Sequence, residues 1–301
     1  MHFPFLKYSK IYFIFSGILI IASIITITAY GLNWGVDFAG GSILKAVYSH
    51  PKPEIQELSD RISELGLSGF SIRFSGENEI IIRMPEVSQD IKDEVSSVFY
   101  NMENIEEGSI SFESVSPVIG EESKTRASKA IIFSIIAIVV YVAFAFRKIS
   151  RPVKSWQYGI ATVVALVHDV LIPVGVFAIL GKFWGVEFSI PILTALLTIL
   201  GYSVNDTVVV FDRIRENLIK GVGETFNDII DKSLNQTLGR SFNTVFTTLL
   251  ALFAIFFFGG QSLTYFSLAL ILGISLGAYS SIFLASTLIA QIYYFNQRKF
   301  R

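Results

Sequence analysis

Two ionisable side chains of this 301-residue chain lie in or beside long apolar segments, where a charge is costly. Asp206 lies near the end of one apolar segment, and Arg240 lies at the start of the next. Because consecutive membrane spans run in opposite directions, we expect the two side chains at similar depth. A carboxylate facing an arginine is a common solution to burying either one. Arginine keeps its charge whereas aspartate can gain or lose a proton, so the pair predicts a proton-driven switch.

The same two residues also fit a purely structural interpretation, in which they mark the ends of two spans. Arg240 would then extend its long side chain to the membrane interface. Asp206 would begin a cytoplasmic extension of its helix, together with Asp212 and Arg213. A shift of the fourth span by a few residues toward the cytoplasm would place Asp206 deeper and favour the switch.

Polar residues accompany both ionisable groups at helical spacing. Thr194, Thr198 and Tyr202 precede Asp206 at steps of four, which predicts one shared helix face. Tyr202 and Asn205 are therefore further candidates for a proton relay or a helix contact. The fifth span opens with a second polar stripe, formed by Thr237, Arg240, Ser241, Thr244, Thr247 and Thr248.

A His-Asp pair lies in the middle of the third apolar segment, at His168 and Asp169. Ionisable groups at that depth are candidates for a proton relay, and they equally fit a structural hydrogen bond to another span. Adjacent residues on a helix point about 100° apart, so we expect each of the two to need its own partner.

Composition indicates a membrane protein and excludes several function classes. The chain is 52% hydrophobic with mean hydropathy +0.57, and 24 basic residues nearly balance 25 acidic ones, so no nucleic-acid partner is expected. The absence of cysteine excludes disulfides and thiolate metal sites. The three histidines are scattered and do not form the ligand cluster of a zinc site, and Gly40-Gly41 lacks the rest of a phosphate-binding loop. We therefore predict no metal, no cofactor and no enzymatic activity.

Six apolar segments are long enough to cross a membrane, at 11–29, 127–146, 156–180, 188–211, 241–258 and about 265–294. The first could be a secretory signal. Its apolar run is longer than the usual signal core, and no clear A-x-A cleavage site follows, so we predict an uncleaved span. The last contains Gly273-x-x-x-Gly277, which allows close helix contact.

Basic residues indicate the orientation of these spans. The N-terminus, the second-to-third connection, the fourth-to-fifth connection and the tail carry Lys7, Lys10, Arg147, Lys148, Arg151, Lys154, Arg213, Arg215, Lys220, Lys232, Arg240, Arg298, Lys299 and Arg301. The short connections of the opposite side carry Lys182 alone. The positive-inside rule then places both termini in the cytoplasm and the large 31–126 segment on the outer face.

The predicted divisions of the chain follow from this orientation. They are a cytoplasmic N-terminus with the first span at 1–30, an outer domain at 31–126, five further spans at 127–295 with a cytoplasmic loop at 212–240, and a cytoplasmic tail at 296–301. An apolar stripe within that loop, formed by Phe226, Ile229, Ile230 and Leu234, predicts a short helix lying on the membrane surface.

The outer segment has the pattern of a small α+β domain. Strand-like alternation at 36–48, 70–75, 80–84 and 109–113 is interrupted by two helical stripes, at 55–65 and 91–102, and a turn is expected at 76–78. The order is βαββαβ, which is the ferredoxin-like arrangement. The predicted fold class is thus a polytopic α-helical membrane protein, with six transmembrane helices and one extracytoplasmic α+β ferredoxin-like domain.

Four motifs together resemble the SecF family of bacterial protein-export membrane subunits. They are Trp34-Gly35-Val36-Asp37-Phe38-x-Gly40-Gly41, His168-Asp169, the stretch GYSVNDTVVVFDRIREN at 201–217, and Gln236-x-x-x-Arg240. The stretch at 201–217 is highly specific, and the resemblance covers nearly the whole chain. Position 42 is Ser where many members have Thr, a mild departure.

The resemblance implies partners that spacing could not show. Members of this family work with SecD, as a twelve-span unit similar to the resistance–nodulation–division transporters. They assist the SecY-SecE-SecG channel after SecA has pushed the unfolded polypeptide, and they use the proton gradient across the cytoplasmic (inner) membrane. The family's proton-pathway aspartate and arginine correspond to Asp206 and Arg240.

Two alternatives stay open on the sequence. A proton-coupled small-molecule exporter of the same superfamily would require a homo-oligomer, because this chain has only one six-span half. A non-transporting assembly scaffold would make the buried charges purely structural.

Overall fold

A computed structural model of the chain describes residues 3–49, 54–75, 78–100, 105–106, 109–147 and 153–299. It divides into two compact units, a helical unit of Met1–Asn33 with Lys129–Arg301 and a sheet unit of Trp34–Ser128. Some predictions fall outside the described residues, namely the turn residues Gly76 and Glu77 and the basic residues Lys148, Arg151 and Arg301.

The described residues contain six helices or helical runs that are long and apolar enough to cross a membrane, which confirms the predicted number. A short 3-10 helix at Phe5–Tyr8 precedes α1, Ser9–Tyr30. The others are α5, Pro117–Ala145; α6, Ser155–Trp184; α7, Ile190–Lys220; α8, Phe226–Phe258; and a sixth run formed by α9, Gln261–Tyr279, a π-helical segment, Ser280–Ala285, and α10, Ser286–Lys299.

Helices α7 and α8 are longer than the predicted spans and occupy most of the predicted loop 212–240. Only 221–225 separates them, where Gly221 ends α7 in the left-handed conformation with φ 64°. The prediction of a short surface helix at Phe226–Leu234 was wrong. Phe226, Ile230 and Leu234 belong to the first turns of α8, and they are buried in the main core of the helical unit. An amphipathic stripe on its own does not distinguish burial against lipid from burial against protein.

Helix α1 packs on the helical unit through small residues, and one of them meets α6. Its buried residues are Ser9, Ser16 and Ser23, which repeat every seven positions, and its apolar residues are mostly exposed. Gly175 of α6 lies directly against Ser23, because a Cβ built on Gly175 would stand 2.7 Å from the Ser23 Cα. Small residues at this crossing let the two backbones approach closely.

Close packing also joins the sixth helical run to α7. A Cβ on Gly273 would overlap the Ile199 side chain, and one on Gly277 would stand 3.1 Å from Ser203 Cβ. The close helix contact predicted for Gly273-x-x-x-Gly277 therefore forms inside this chain. Both glycines bring the sixth run against the part of α7 that precedes Asp206.

The sheet unit has the predicted βαββαβ order. Its described elements are β1, Gly41–Val47; α3, Ile55–Glu64; β2, Ser71–Ser75; β3, Glu79–Met84; α4, Gln89–Tyr100; and β4, Ser111–Val115. Within the described residues these strands form one antiparallel sheet in the order β2-β3-β1-β4. Its core includes Leu44 and Ile82 from the sheet with Leu58, Val95 and Phe99 from the helices.

The start of this unit differs from the prediction. Val36–Ala39 forms a single helical turn, α2, and the strand begins only at Gly41. Gly40 (φ 72°) and Gly41 (φ 112°) adopt conformations that side chains disfavour, and they turn the chain into β1. A Cβ on Gly40 would stand 2.6 Å from the Pro117 Cα, so Gly40 also permits a close approach of two backbone segments.

Candidate functional site

Asp206 lies on α7, on the face that packs against α8. It is 8% exposed, and Ser241 Oγ donates a 2.7 Å hydrogen bond to its Oδ1 atom. Its Oδ2 atom is buried and has no hydrogen-bond partner among the described residues. A buried carboxyl group with one unsatisfied oxygen is costly to keep, and such groups concentrate at functional sites.

The predicted ion pair between Asp206 and Arg240 is not formed. Neither residue makes an ion pair within 4.0 Å with any part of the chain that the structure describes. Arg240 is exposed, and the neighbouring Ser241 faces Asp206 instead. Adjacent residues on a helix point about 100° apart, so α8 can direct only one of the two at the carboxyl group.

Arg240 lines a cavity of about 300 Å³ between the adjoining ends of α7 and α8. Two other arginines of this cavity are paired, Arg213 with Glu216 at 2.8 Å and Arg215 with Asp212 at 3.6 Å. Arg240 lies on α8 directly before Ser241, the residue that donates a hydrogen bond to Asp206. The site thus combines a buried acid with a nearby arginine that makes no ion pair within the described residues.

Tyr202 makes a helix contact. Its hydroxyl donates to the Thr244 carbonyl oxygen at 3.2 Å and lies 3.1 Å from Thr248 Oγ1, both on α8. Asn205 is exposed. Of the two residues predicted for a relay or a contact, Tyr202 therefore joins α7 to α8, and Asn205 lies on the outer surface of the pair.

Thr194 and Thr198 do not share the face of Asp206. Both are exposed, and their hydroxyls donate to carbonyl oxygens one turn earlier in the helix. A step of four residues advances about 40° around a helix, so three such steps rotate the direction by about 120°. Tyr202, one step before Asp206, therefore shares its face, whereas Thr194, three steps before Asp206, does not.

His168 and Asp169 are both fully buried on α6, and they pair with each other. His168 Nδ1 lies 2.8 Å from Asp169 Oδ1, so the expectation that each would need a separate partner was wrong. The two Cβ directions differ by about 100°, and the side chains still come within hydrogen-bond distance of each other. The imidazole stacks on the Tyr279 ring, and its Nε2 atom has no partner among the described residues.

The second oxygen of Asp169 accepts two further hydrogen bonds, from Ser203 Oγ at 2.6 Å and Ser280 Oγ at 2.7 Å. The three residues come from α6, α7 and the π-helical segment, so Asp169 joins three helices. Sequence reasoning missed Ser203 and Ser280, because serine is ordinary in membrane helices. The available signal was their position, since Ser203 lies one turn before Asp206 and Ser280 lies three residues after Gly277.

Ser281 is the second hydroxyl near Asp206. It follows Ser280 in the π-helical segment and lies near the Asp206 carboxyl group, but its hydroxyl donates to the Gly277 carbonyl oxygen and makes no hydrogen bond to Asp206. Among the described residues no group of three or more His, Asp or Glu side chains could hold a metal ion. The groups that the structure brings together here are buried carboxyl groups and hydroxyls. Groups of these types can carry and hand over protons.

Comparison with known families gives two matches. The model described as protein export membrane protein SecD/SecF, C-terminal, matches residues 94–294, and the SecD/SecF GG motif model matches residues 25–51. The first covers the Asp206 and Asp169 sites, and the second covers the glycines that precede β1.

The sequence of this chain aligns with those of curated relatives over most of their length. Protein translocase subunit SecF of Thermobaculum terrenum is 39% identical, over 92% of this chain and 90% of the relative. The SecF proteins of Desulfurispirillum indicum and Haemophilus influenzae are 35% and 37% identical, over 96% and 93% of this chain and 91% and 83% of those proteins.

Two solved structures are similar to this chain. The crystal structure of SecDF from Thermus thermophilus, a translocon-associated membrane protein, gives a TM-score of 0.84 at 33% identity. A second structure, of SecDF in a super-membrane-facing form, gives a TM-score of 0.69 at 33% identity. This chain is covered to 97% and 99%, but it spans only 39% of either SecDF chain.

Proposed function

Because this chain belongs to the SecD/SecF family and matches its SecF members over nearly their full length, we propose that it is the SecF-type subunit of the Sec protein-export machinery. With SecD it uses the proton gradient to promote the passage of secreted proteins across the cytoplasmic membrane. It acts as an accessory transport subunit rather than as an enzyme.

The observation that supports proton coupling best is the environment of Asp206. Its carboxyl group is buried between α7 and α8, with one oxygen bonded to Ser241 and the other unpartnered. A group in that position can accept a proton without first breaking an ion pair. Each proton that moves down 100 mV releases about 2.3 kcal/mol, so a few protons can drive a change between two arrangements of the helices.

Arg240 provides the second part of the proposed cycle. When Asp206 is charged, the arginine is drawn from the cavity toward the carboxylate, and protonation of Asp206 releases it. The arrangement described here, with Arg240 exposed and unpaired within the described residues, corresponds to the released form. Two opposite charges attract each other more strongly where less water surrounds them.

One face of the α7–α8 pair supports SecD as the partner. Asn205, Arg240 and Asn243 are exposed there, together with Gly201 and Gly239, which have open space where a Cβ would be. Polar side chains are costly when they face lipid, and exposed glycines allow another helix to approach closely. We define Asn205, Arg240, Asn243, Gly201 and Gly239 as the partner face. SecD covers it, in line with the SecDF structures, whose single chain is longer than this one.

The orientation follows from the charge pattern. Both termini and the 221–225 connection lie in the cytoplasm, and the sheet unit lies on the outer face, where it meets the emerging unfolded polypeptide. The subunit acts next to the SecY-SecE-SecG channel, after the work of SecA. The chain has no cysteine, so single cysteines can report the orientation.

The orientation test uses one cysteine in each region, Ser63→Cys in the sheet unit and Glu224→Cys in the connection, both at exposed positions. A thiol reagent that cannot cross the membrane is added to sealed cells, then to opened cells. We expect labelling of the Ser63 site in sealed cells and of the Glu224 site only after opening. The reverse pattern would overturn the orientation.

The functional test is Asp206→Asn in sealed vesicles that contain SecD and the channel. Translocation of a secreted reporter is measured with ATP alone and with ATP plus an imposed proton gradient. We expect the variant to lose the gradient-dependent increase and keep the ATP-dependent part. The matched control is Asp228→Asn, an acid of α8 that pairs with Lys232 at 3.1 Å near the surface. An unchanged gradient response in Asp206→Asn would overturn proton coupling through this residue.

Purification separates this proposal from the exporter alternative. Extraction of the native protein in mild detergent should recover it together with SecD. Recovery as a stable homo-oligomer without SecD would favour a small-molecule exporter instead.

A further inference from the structure

Two buried carboxyl groups of the helical unit face one irregular segment. Asp169 on α6 and Asp206 on α7 both lie beside the π-helical residues Ser280–Ala285. π-helical turns inside α-helices are rare and often mark functional sites, because their wider turn is less stable than the α-helix around it. The position of this turn therefore calls for an explanation beyond packing.

Asp169 is the centre of a closed set of hydrogen bonds. It accepts from Ser203 and Ser280 at one oxygen, and it is paired with His168 at the other. All four side chains are at most 1% exposed. A carboxylate with three partners in such a site is held in one position, and it holds its partners equally firmly.

Two residues of this hydrogen-bonded set, one on α7 and one in the sixth helical run, lie close to Asp206. On α7, Ser203 is three residues before Asp206, so the two side chains lie one turn apart on the same face. In the sixth helical run, Ser280 is followed directly by Ser281, which lies near the Asp206 carboxyl group without a hydrogen bond to it. Gly277 keeps the two helices close, since a Cβ there would stand 3.1 Å from Ser203 Cβ and 3.5 Å from Asp169 Oδ2.

We propose that Asp169 is a positioning residue for Asp206. By holding Ser203 and Ser280 together, it fixes α7 against the π-helical segment one turn before Asp206, and so fixes the position of the Asp206 carboxyl group relative to its hydrogen-bond donor Ser241. His168 orients Asp169 by binding its other oxygen. Asp169 itself carries no proton across the membrane in this scheme. The inference rests on the proposed function, because positioning Asp206 has meaning only if Asp206 takes part in proton coupling.

The test combines a spectroscopic and a functional measurement on the complex with SecD. The protonated Asp206 carboxyl group is followed by its C=O stretching band in infrared difference spectra between acid and alkaline pH, and the band is assigned by its loss in Asp206→Asn. A carboxyl C=O that loses a hydrogen-bonding neighbour absorbs at higher frequency. Gradient-dependent translocation is measured in the same preparations.

The variants are Asp169→Asn, Ser203→Ala and Ser280→Ala. The two serine variants each remove a single oxygen atom, so they still test the positioning role of Asp169 if Asp169→Asn fails to assemble. The matched control is Ser267→Ala in the same helical run, because Ser267 is fully buried and its hydroxyl donates only to backbone carbonyl oxygens.

Either serine variant removes one hydrogen bond to Asp169, so α7 can shift and its Asp206 carboxyl group can lose the Ser241 hydrogen bond. We therefore expect the Asp206 band to move to higher frequency and gradient-dependent translocation to fall about tenfold, the effect of one lost hydrogen bond to a charged group. Ser267→Ala should leave the band and the translocation rate as in the parent protein. If either reading stays at the parent value in both serine variants, Asp169 does not position Asp206.

The two proposals fail in different ways. An unchanged gradient response in Asp206→Asn removes the proposed proton coupling, and the positioning role falls with it. A lost response in Asp206→Asn with unchanged serine variants removes the positioning role alone.

Discussion

The crossing of α1 and α6 allows a quantitative test of the helical unit. Gly175→Ala adds a single methyl group at a point where the structure leaves no room, because the new Cβ would stand 2.6 Å from Ser23 Cβ and 2.7 Å from Ser23 Cα. Ordinary carbon contacts are about 3.5–4.0 Å, so the overlap is about 1 Å. The nearest atoms include helix backbone, which cannot turn away as a flexible side chain can.

The expected cost is that of overpacking, about 1–3 kcal/mol in the free energy of unfolding. The measurement is the unfolding of the detergent-solubilised protein with increasing denaturant, followed by the loss of helical circular dichroism. Gly201→Ala is the control, because Gly201 lies in the middle of α7 with nothing within 4 Å of a built Cβ. That variant should be unchanged or more stable by up to about 1 kcal/mol, since alanine favours the helix.

A second change distinguishes this crossing from a general effect of helix α6. Ser23→Gly combined with Gly175→Ala removes the contact with Cβ but keeps the contact with Cα, so only part of the stability should return. If Gly175→Ala unfolds at the same denaturant concentration as the parent protein, α1 does not cross α6 at Gly175 and the described packing is refuted.

Three further predictions concern other parts of the molecule. Tyr202→Phe should lower the free energy of unfolding by about 0.5–1.5 kcal/mol in the same assay, because it removes the hydroxyl contact with α8. Asn33→Ala should cost about 1–2 kcal/mol, since its amide donates to the carbonyl oxygens of Gly185 (3.1 Å) and Val186 (3.3 Å). Gly40→Ala should destabilise the sheet unit by at least about 1–2 kcal/mol, because its φ of 72° is left-handed, and faster proteolysis within 34–128 of the full-length protein would report it.

The fold was predictable wherever one physical signal dominated. Runs of about twenty apolar residues specified six helices, and apolar residues at every second position, Ile80, Ile82 and Met84, specified a strand with one buried face. The first strand was predicted to begin too early. Val36 and Phe38 favour strands by type, but the backbone freedom of Gly40 and Gly41 decides where the chain turns, and residue type at the neighbouring positions carries no signal of that turn.

The candidate site was predictable in its residues and not in its contacts. An acid in an apolar run pointed to Asp206, and the structure places that carboxyl group in the interior. Its partner was expected to be Arg240 and is Ser241, one position along α8. A one-residue difference rotates a side chain by about 100°, and sequence spacing on two separate helices does not determine their mutual rotation. For the same reason the sequence did not indicate Ser280, because its hydrogen bond depends on where Asp169 lies.

The lengths of α7 and α8 have a mechanical consequence. At 31 and 33 residues the two helices measure about 46 and 50 Å, whereas the hydrocarbon layer is about 30 Å thick. The pair therefore projects beyond the bilayer as a stiff hairpin, closed by 221–225 and held together by the bonds of Asn217 to Ser233 and Gln236. Because Asp206 lies near the middle of α7, a small tilt that begins at its carboxyl group becomes a larger displacement at the tip of the hairpin. A tilt of α7 within the membrane would therefore move a surface that lies outside the membrane.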